Sequence, residues 1–169
     1  MSTVKPEHPA LQAKVRCFGS KAALTAEATY ITQEGGVPLA ALNLEVAPRQ
    51  GERVEWKRKI VLQLGEDDLP LLCCVCLGYL PKAEFKRPTK GITIERQPGR
   101  IYLTASQGSG TGYALPLPIS QSFRLGALAL AQLKKQSVCD PLWQDSWHYL
   151  IFNQLGGSGV DSASLFRRT

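Results

Sequence analysis

Val54-Glu55-Trp56-Lys57-Arg58-Lys59-Ile60-Val61-Leu62-Gln63-Leu64 carries the pattern on which the fold turns. Taken in alternation, Val54, Trp56, Ile60, Leu62 and Leu64 fall on one side and Glu55, Lys57, Lys59 and Gln63 on the other, with Arg58 and Val61 out of step. Side chains alternate across a strand, so one continuous, half-buried strand with a cationic outer face is expected. Three consecutive cations beside an indole, held on a rigid sheet, suit an unpaired polynucleotide, because cations draw phosphates and a ring stacks on a base. The same residues also fit a plain solvated face with Trp56 turned into the core, where its parity places it. Lys57 and Lys59 share the opposite face.

Working outward, three strands are expected before this one. Residues 14–18 put Lys14, Arg16 and Phe18 on one face, and Gly19-Ser20 breaks the run. Residues 21–32 alternate Ala22, Leu24, Ala26, Ala28 and Tyr30 against Thr25, Glu27 and Thr29. Residues 33–36 form a turn, residues 37–46 a third strand, and residues 48–51 the turn that leads into the quoted stretch. After it the period becomes helical. Asp67 or Asp68 can cap a helix that tolerates Pro70 in its first turn and stops at Pro81. Leu69, Leu72, Cys73, Cys76 and Leu80 share one stripe, and Leu71, Val75 and Leu77 cover much of the rest. A helix apolar nearly all round is expected to be buried on several sides, here against another subunit.

The order then repeats. Residues 83–86 form a short strand, and residues 91–96 and 100–106 a hairpin about Gln97-Pro98-Gly99. Residues 107–112 form a flexible turn, and residues 113–119 an edge strand, since Pro116 and Pro118 cannot donate to a ladder. Ser120 is expected to cap a second helix reaching Lys135, with Gly126, Ala127, Ala129 and Ala131 small enough for close packing. The expected class is α+β: two packed antiparallel four-stranded sheets with two helices, ββββα twice over, and a short third helix over residues 141–154 carrying Trp143, Trp147, Tyr149 and Phe152. Residues 1–12 are expected to be a flexible arm, 13–155 the domain, and 156–169 a disordered Gly/Ser-rich tail.

The 169 residues, 44% hydrophobic and 20% charged, suit one domain with a core. A net charge of +6 favours an anionic partner. No apolar run has the length of a membrane helix, and the start has no apolar leader core, so the cytoplasm, with the nucleoid, is the expected site of action. Cys73-Cys74-Val75-Cys76 lacks the second ligand pair that structural zinc wants, and its thiols are expected in the core. Gly108-Ser109-Gly110-Thr111-Gly112 lacks the lysine of a phosphate loop. Glu66, Asp67 and Asp68 are paired carboxylates or, more simply, a helix start. No catalytic constellation, metal site or cofactor site is expected.

Four segments resemble the Whirly family of single-stranded DNA-binding proteins. Phe18-Gly19-Ser20-Lys21-Ala22-Ala23-Leu24 is similar to the family's aromatic-Lys-Gly-Lys-Ala-Ala-Leu signature, and Glu55-Trp56-Lys57-Arg58-Lys59 to its Asp-Trp-Ser-Arg-Lys segment. Residues 64–72 resemble the stretch that follows, and Leu115-Pro116-Leu117-Pro118-Ile119-Ser120 the strand that ends in Ile-Pro-Ile-Thr. The match is collinear over about residues 14–136. It implies four copies packed through their helices, with single-stranded DNA crossing the sheets with little sequence preference, in replication, recombination or repair. Lys14, Arg16, Phe18, Lys21, Trp56, Lys57, Arg58 and Lys59 are the expected contacts. One departure stands out: the signature's first lysine is Gly19 here and its glycine is Ser20, so only Lys21 keeps the charge. Plant relatives carry organelle transit peptides and none is evident here, so a bacterial or phage-related source is expected. RNA binding on the same fold, or a protein-interaction scaffold using the aromatic C-terminal helix, are the alternatives.

Overall fold

Alternation builds strands on both sides of the quoted stretch, yet the stretch itself breaks. The computed structural model describes residues 13–32 and 34–136, so the arm, the third helix and the tail lie outside the described residues. The first half holds β1 (Lys14–Phe18), β2 (Ala22–Ile31), β3 (Leu39–Gln50), β4 (Arg53–Val54), β5 (Ile60–Leu64) and α1 (Asp68–Leu77). The second holds β6 (Lys82–Lys86), β7 (Lys90–Gln97), β8 (Arg100–Gln107), β9 (Thr111–Pro118) and α2 (Ile119–Gln136). One antiparallel sheet runs β1-β2-β3-β5, with two-residue β4 on the same edge of β3 as β5; the other is the meander β6-β7-β8-β9. This is the expected α+β architecture, strands then a helix, twice.

The single strand expected over residues 54–64 is three pieces. β4 pairs Val54 with Arg49, and β5 starts where Ile60 pairs with Val46. Ala47 and Pro48 therefore face Glu55 to Lys59, and the surplus folds into one 3-10 turn, Trp56–Arg58. Parity cannot hold across such a turn, so Trp56 does not join the core and is half-buried, while Lys57 and Arg58 are exposed. The turn expected over residues 48–51 is displaced as well, because β3 continues to Gln50. Pro48 is tolerated inside β3 because its carbonyl accepts the Glu55 N–H (3.0 Å). A strand residue's N and O point to the same side, so the missing N–H faces the bulge and costs no ladder bond.

The two sheets pack inner face to inner face. On the first, the register aligns Cys17, Leu24, Val46 and Ile60 in one row and Val15, Ala26, Leu44 and Leu62 in the next. On the second, Ala83, Ile94, Leu103 and Leu115 align, followed by Phe85, Ile92, Ala105 and Tyr113. Nearly all of these are buried, and each fully buried leucine or isoleucine contributes about 1.5–3 kcal/mol. β9 packs on β2 and β3, and β5 on β7 and β8. Pro116 and Pro118 do lie on an edge strand, as their missing donors require.

α2 is strapped across both sheets. Near its start, Ser122 Oγ accepts the Ile101 N–H (3.2 Å) and donates to Leu117 O (3.0 Å), two residues paired across β8 and β9. Near its end, buried Gln132 Nε2 donates to Ala41 O (2.7 Å) and Thr29 O (3.1 Å), and Gln136 Nε2 to Ala40 O (2.6 Å). The helix starts at Ile119, so Ser120 sits inside the first turn rather than at its cap. α1 departs from expectation at both ends. Asp67 makes no side-chain cap; Asp68 instead pairs with Arg87, which also donates to Gln63 O (2.9 Å). The helix ends at Gly78, not at Pro81. Gly78 adopts φ 87°, which glycine takes without strain, and lets the Tyr79 N–H reach Cys74 O (2.8 Å). Arg96 of β7 supplies the cation at this C-terminus, donating to Cys76 O (3.2 Å).

α1 packs on α2 within the same chain, with Leu69, Leu72, Cys73 and Val75 buried and Leu71 left 41% exposed. Of the small residues in α2, Gly126 and Ala129 are buried, whereas Ala127 and Ala131 face outward. A Cβ on Gly126 would lie 3.0 Å from Cys76 Cβ, so the helices touch there. Gly126→Val is expected to destabilise the protein by about 2 kcal/mol through overpacking. Gly126→Ala should be near neutral, its helix propensity gain of about 1 kcal/mol offsetting the tight contact. Urea denaturation checks both; a valine variant as stable as the parent would mean the helices do not meet at this residue.

Candidate functional site

The outer face of the first sheet is where the expected residues gather. β1 presents Lys14, Arg16 and Phe18 outward, while Val15 and Cys17 face the core. Phe18 is 54% exposed, unusual for a phenylalanine on a sheet. Its row continues through Ala23 and Ala47, both fully buried although they point outward. The 3-10 turn contacts β3 beside them. That turn is closed by two bonds of its own and fastened by a third from outside. The Arg58 N–H donates to Glu55 O (3.0 Å), the Lys59 N–H to Trp56 O (3.3 Å), and the Tyr113 hydroxyl, from the other sheet, to Arg58 O (3.1 Å).

The β1–β2 turn closes the same corner. The Gly19 N–H donates to Ala22 O (2.9 Å), and the Arg49 N–H to Lys21 O (2.8 Å), so Lys21 sits next to the end of β3. A Cβ on Gly19 would lie 2.3 Å from Leu115 Cδ1, and Leu115 is buried, which is why no side chain stands there. Arg49 Nη1 donates to Gly19 O (2.8 Å), and the guanidinium lies over the Phe18 ring, 5.7 Å from its centroid.

One end of the sheet thus holds Arg16, Phe18, Lys21, Trp56, Lys57 and Arg58. The other two expected contacts are committed elsewhere. Lys14, at the far end of β1, pairs with Glu27 (2.9 Å), and Lys59 pairs with Glu45 (2.8 Å). Arg58 is loosely paired with Glu55 (3.3 Å). Among the described residues, Arg16, Lys21 and Lys57 have no ion pair. Arg49 was not among the expected residues, because Pro48 read as the start of a turn. The alternation Glu45, Ala47, Arg49 is the signal that places it outward.

The outer face of the second sheet is neutralised by comparison. Glu84 lies between Lys82 (2.7 Å) and Lys86 (2.9 Å), whose hydrogen bonds and charge pull its carboxyl down to about 2. Tyr102 carries Arg100 at 6.0 Å from its ring, but Glu95 stands opposite Tyr102 across the ladder. An open cleft of about 720 Å³ between the end of β5 and the β6–β7 turn sets Glu66, Asp67 and Asp68 against Arg87 and Lys90, again with mixed sign.

By sequence, no family model and no curated protein matches the chain. By structure, it is similar to a guide-RNA-binding protein complex bound to a gRNA, with a TM-score of 0.58 and 11% identity over 76% of this chain and 94% of the other. It is also similar to the MRP1/MRP2 proteins of Trypanosoma brucei, with a TM-score of 0.55 and 12% identity over 79% of this chain and 97% of the other. At such identities the likeness is one of fold.

Cys17, Cys73, Cys74 and Cys76 are free thiols. Burial pushes the Cys73 thiol far up, and Cys76 up to about 12, against the opposing pull of Arg96. Thiols held protonated are weak ligands and weak nucleophiles, which agrees with their place in the core. No group of three or more His, Cys, Asp or Glu among the described residues comes together to hold a metal. Alkylating the native protein with iodoacetamide at pH 8 should leave Cys73 and Cys76 unmodified, as read by peptide mass mapping, and unfolding in urea should expose both. Fast native labelling of either would mean that a reactive thiolate exists there.

Proposed function

We propose that the chain is a non-catalytic binder of unpaired nucleic acid, that the basic corner of the first sheet is the contact surface, and that RNA is the partner. The observation that carries the proposal is the corner: Arg16, Lys21 and Lys57, without an ion pair among the described residues, at the same end of one sheet as an exposed Phe18. Unpaired cations take phosphates, and an exposed ring takes a base whatever its identity. Duplex would leave the ring unused. RNA is favoured because one solved structure of similar fold is of a guide-RNA-binding protein complex bound to a gRNA. Single-stranded DNA is the second reading, supported by the Whirly-like segments at Phe18–Leu24 and Glu55–Lys59. An assembly of four copies belongs to the same proposal. Leu71 on α1 and Ile119 and Phe123 on α2 leave apolar surface exposed on the helices, 70% and 61% for the last two. A second copy would cover such surface.

Fluorescence anisotropy with a labelled oligouridine, the matching oligo-dT and a duplex, at about 50 and 200 mM salt, tests the proposal. The oligouridine is expected to bind tightest, both single strands to outbind duplex, and both to weaken with salt. Preference for oligo-dT would hand the surface to the second reading. Equal affinity for duplex, or no response to salt, would sink both. Lys21→Glu with Lys57→Glu should weaken every sequence alike and flatten the log–log salt slope by about 1.4, at 0.7 per phosphate contact on a single strand.

A further inference from the structure

We infer that Phe18 is the base-stacking platform of this surface and that Arg49 is a positioning residue that holds its ring, rather than a phosphate contact. The inference deepens the function proposed above and rests on it. Four observations carry it. Phe18 stands on an edge strand and is 54% exposed, which leaves ring surface for a planar ligand. The Arg49 guanidinium covers the ring at 5.7 Å, within the range of cation–π attraction. A base inserted between them would need roughly 7 Å, twice the 3.4 Å step of a stacked strand, so the ligand stacks on the open face and the arginine backs the other. Finally, Arg49 is itself fixed at both ends. Its N–H is tied to Lys21 O and its Nη1 to Gly19 O, each at 2.8 Å.

The same ties argue against a phosphate-binding role. Arg49 is half-buried, and its Nε is enclosed without a hydrogen-bond partner among the described residues. A guanidinium reaching for phosphate offers its open fork to solvent; this one spends one donor on Gly19 O and sits over a ring. Arg16, Lys21 and Lys57, at the same end of the sheet and without an ion pair among the described residues, are the groups left for the backbone of the strand. The ligand unit this geometry fits is one unpaired nucleotide, its base on Phe18 and its flanking phosphates beside Arg16 and Lys21.

A double-mutant cycle on oligouridine binding by the full chain, with each variant's salt slope and urea midpoint, tests the assignment. Phe18→Ala is expected to weaken binding about tenfold, the loss of one stacked base. Arg49→Ala is expected to weaken it about fivefold and to leave the salt slope unchanged. The double variant should bind no worse than Phe18→Ala alone, because the arginine acts through the ring. Arg49→Lys keeps stem and charge but lacks the fork that bonds Gly19 O while covering the ring, and should show part of the loss of Arg49→Ala with the salt slope again unchanged; it also serves if the alanine variant fails to fold. A slope flattened by about 0.7 in Arg49→Ala, or losses that add in the double variant, would make Arg49 an independent phosphate contact and overturn the assignment. Unchanged binding by Arg49→Ala and Arg49→Lys would overturn it too. A parent chain that ignores the oligouridine would sink the proposed function with it, whereas a binding parent with any of these results sinks this inference alone.

Discussion

Along one edge of the first sheet, Ala47 and Pro48 face the five residues Glu55 to Lys59, and the excess has to leave the plane of the ladder. Bulges in general bend a strand and re-aim its side chains; this one is long enough to close a 3-10 turn. Had the stretch been one continuous strand, Trp56 would have joined the core and Lys57 would have stood in a solvated row. The turn instead lifts Trp56, Lys57 and Arg58 to the end of the sheet where Phe18 and Lys21 already stand. The Tyr113 hydroxyl fixes the turn from the second sheet, so the corner depends on both halves of the chain.

Small residues make that corner possible. Ala22, Ala23, Ala26 and Ala28 in β2, with Ala40, Ala41 and Ala47 in β3, let the second sheet, the turn and the C-terminal half of α2 approach the first sheet closely. Gly19 is the extreme case, since any side chain there would meet buried Leu115. A lysine at this position would have to displace a core leucine. Charge at the turn comes from β3 instead, through Arg49, whose Nη1 donates to the Gly19 carbonyl.

The architecture was legible because alternation and helical period switch cleanly along the chain. Where they failed, a local interaction outweighed the pattern. Parity across residues 54–64 could not reveal the bulge, because an excess of residues shows only when both partners of the ladder are known. Pro48 read as a turn because a missing N–H usually ends pairing, and only the side it faces makes it harmless here. Pro81 read as the end of α1, yet Gly78 ends it first by taking a left-handed conformation, and Leu80 falls outside the stripe. At the candidate site, Arg16, Phe18, Lys21 and Lys57 could be named from sequence, since exposure on strands and turns follows from local pattern. The commitment of Lys14 to Glu27 and of Lys59 to Glu45 could not, since each pair joins residues from different strands.

Those commitments bear on how charge is distributed rather than on stability. Exposed ion pairs are worth about 0–1 kcal/mol each, so Lys14–Glu27 and Lys59–Glu45 add little to the fold. Their larger consequence is electrostatic. Each carboxylate cancels the field of its lysine at distances beyond the pair, and at physiological salt the remaining field decays over about 8 Å. The pairs of the first sheet therefore leave little field between them, and on the second Glu84 offsets half the charge of the two lysines beside it. On the outer face of the first sheet, the cations left without a carboxylate partner among the described residues gather at one end. The +6 charge of the sequence thus does not describe the molecule's surface. What shapes it on the sheets is the placement of Glu27, Glu45 and Glu84, three acids that offset Lys14, Lys59 and the lysine pair of β6.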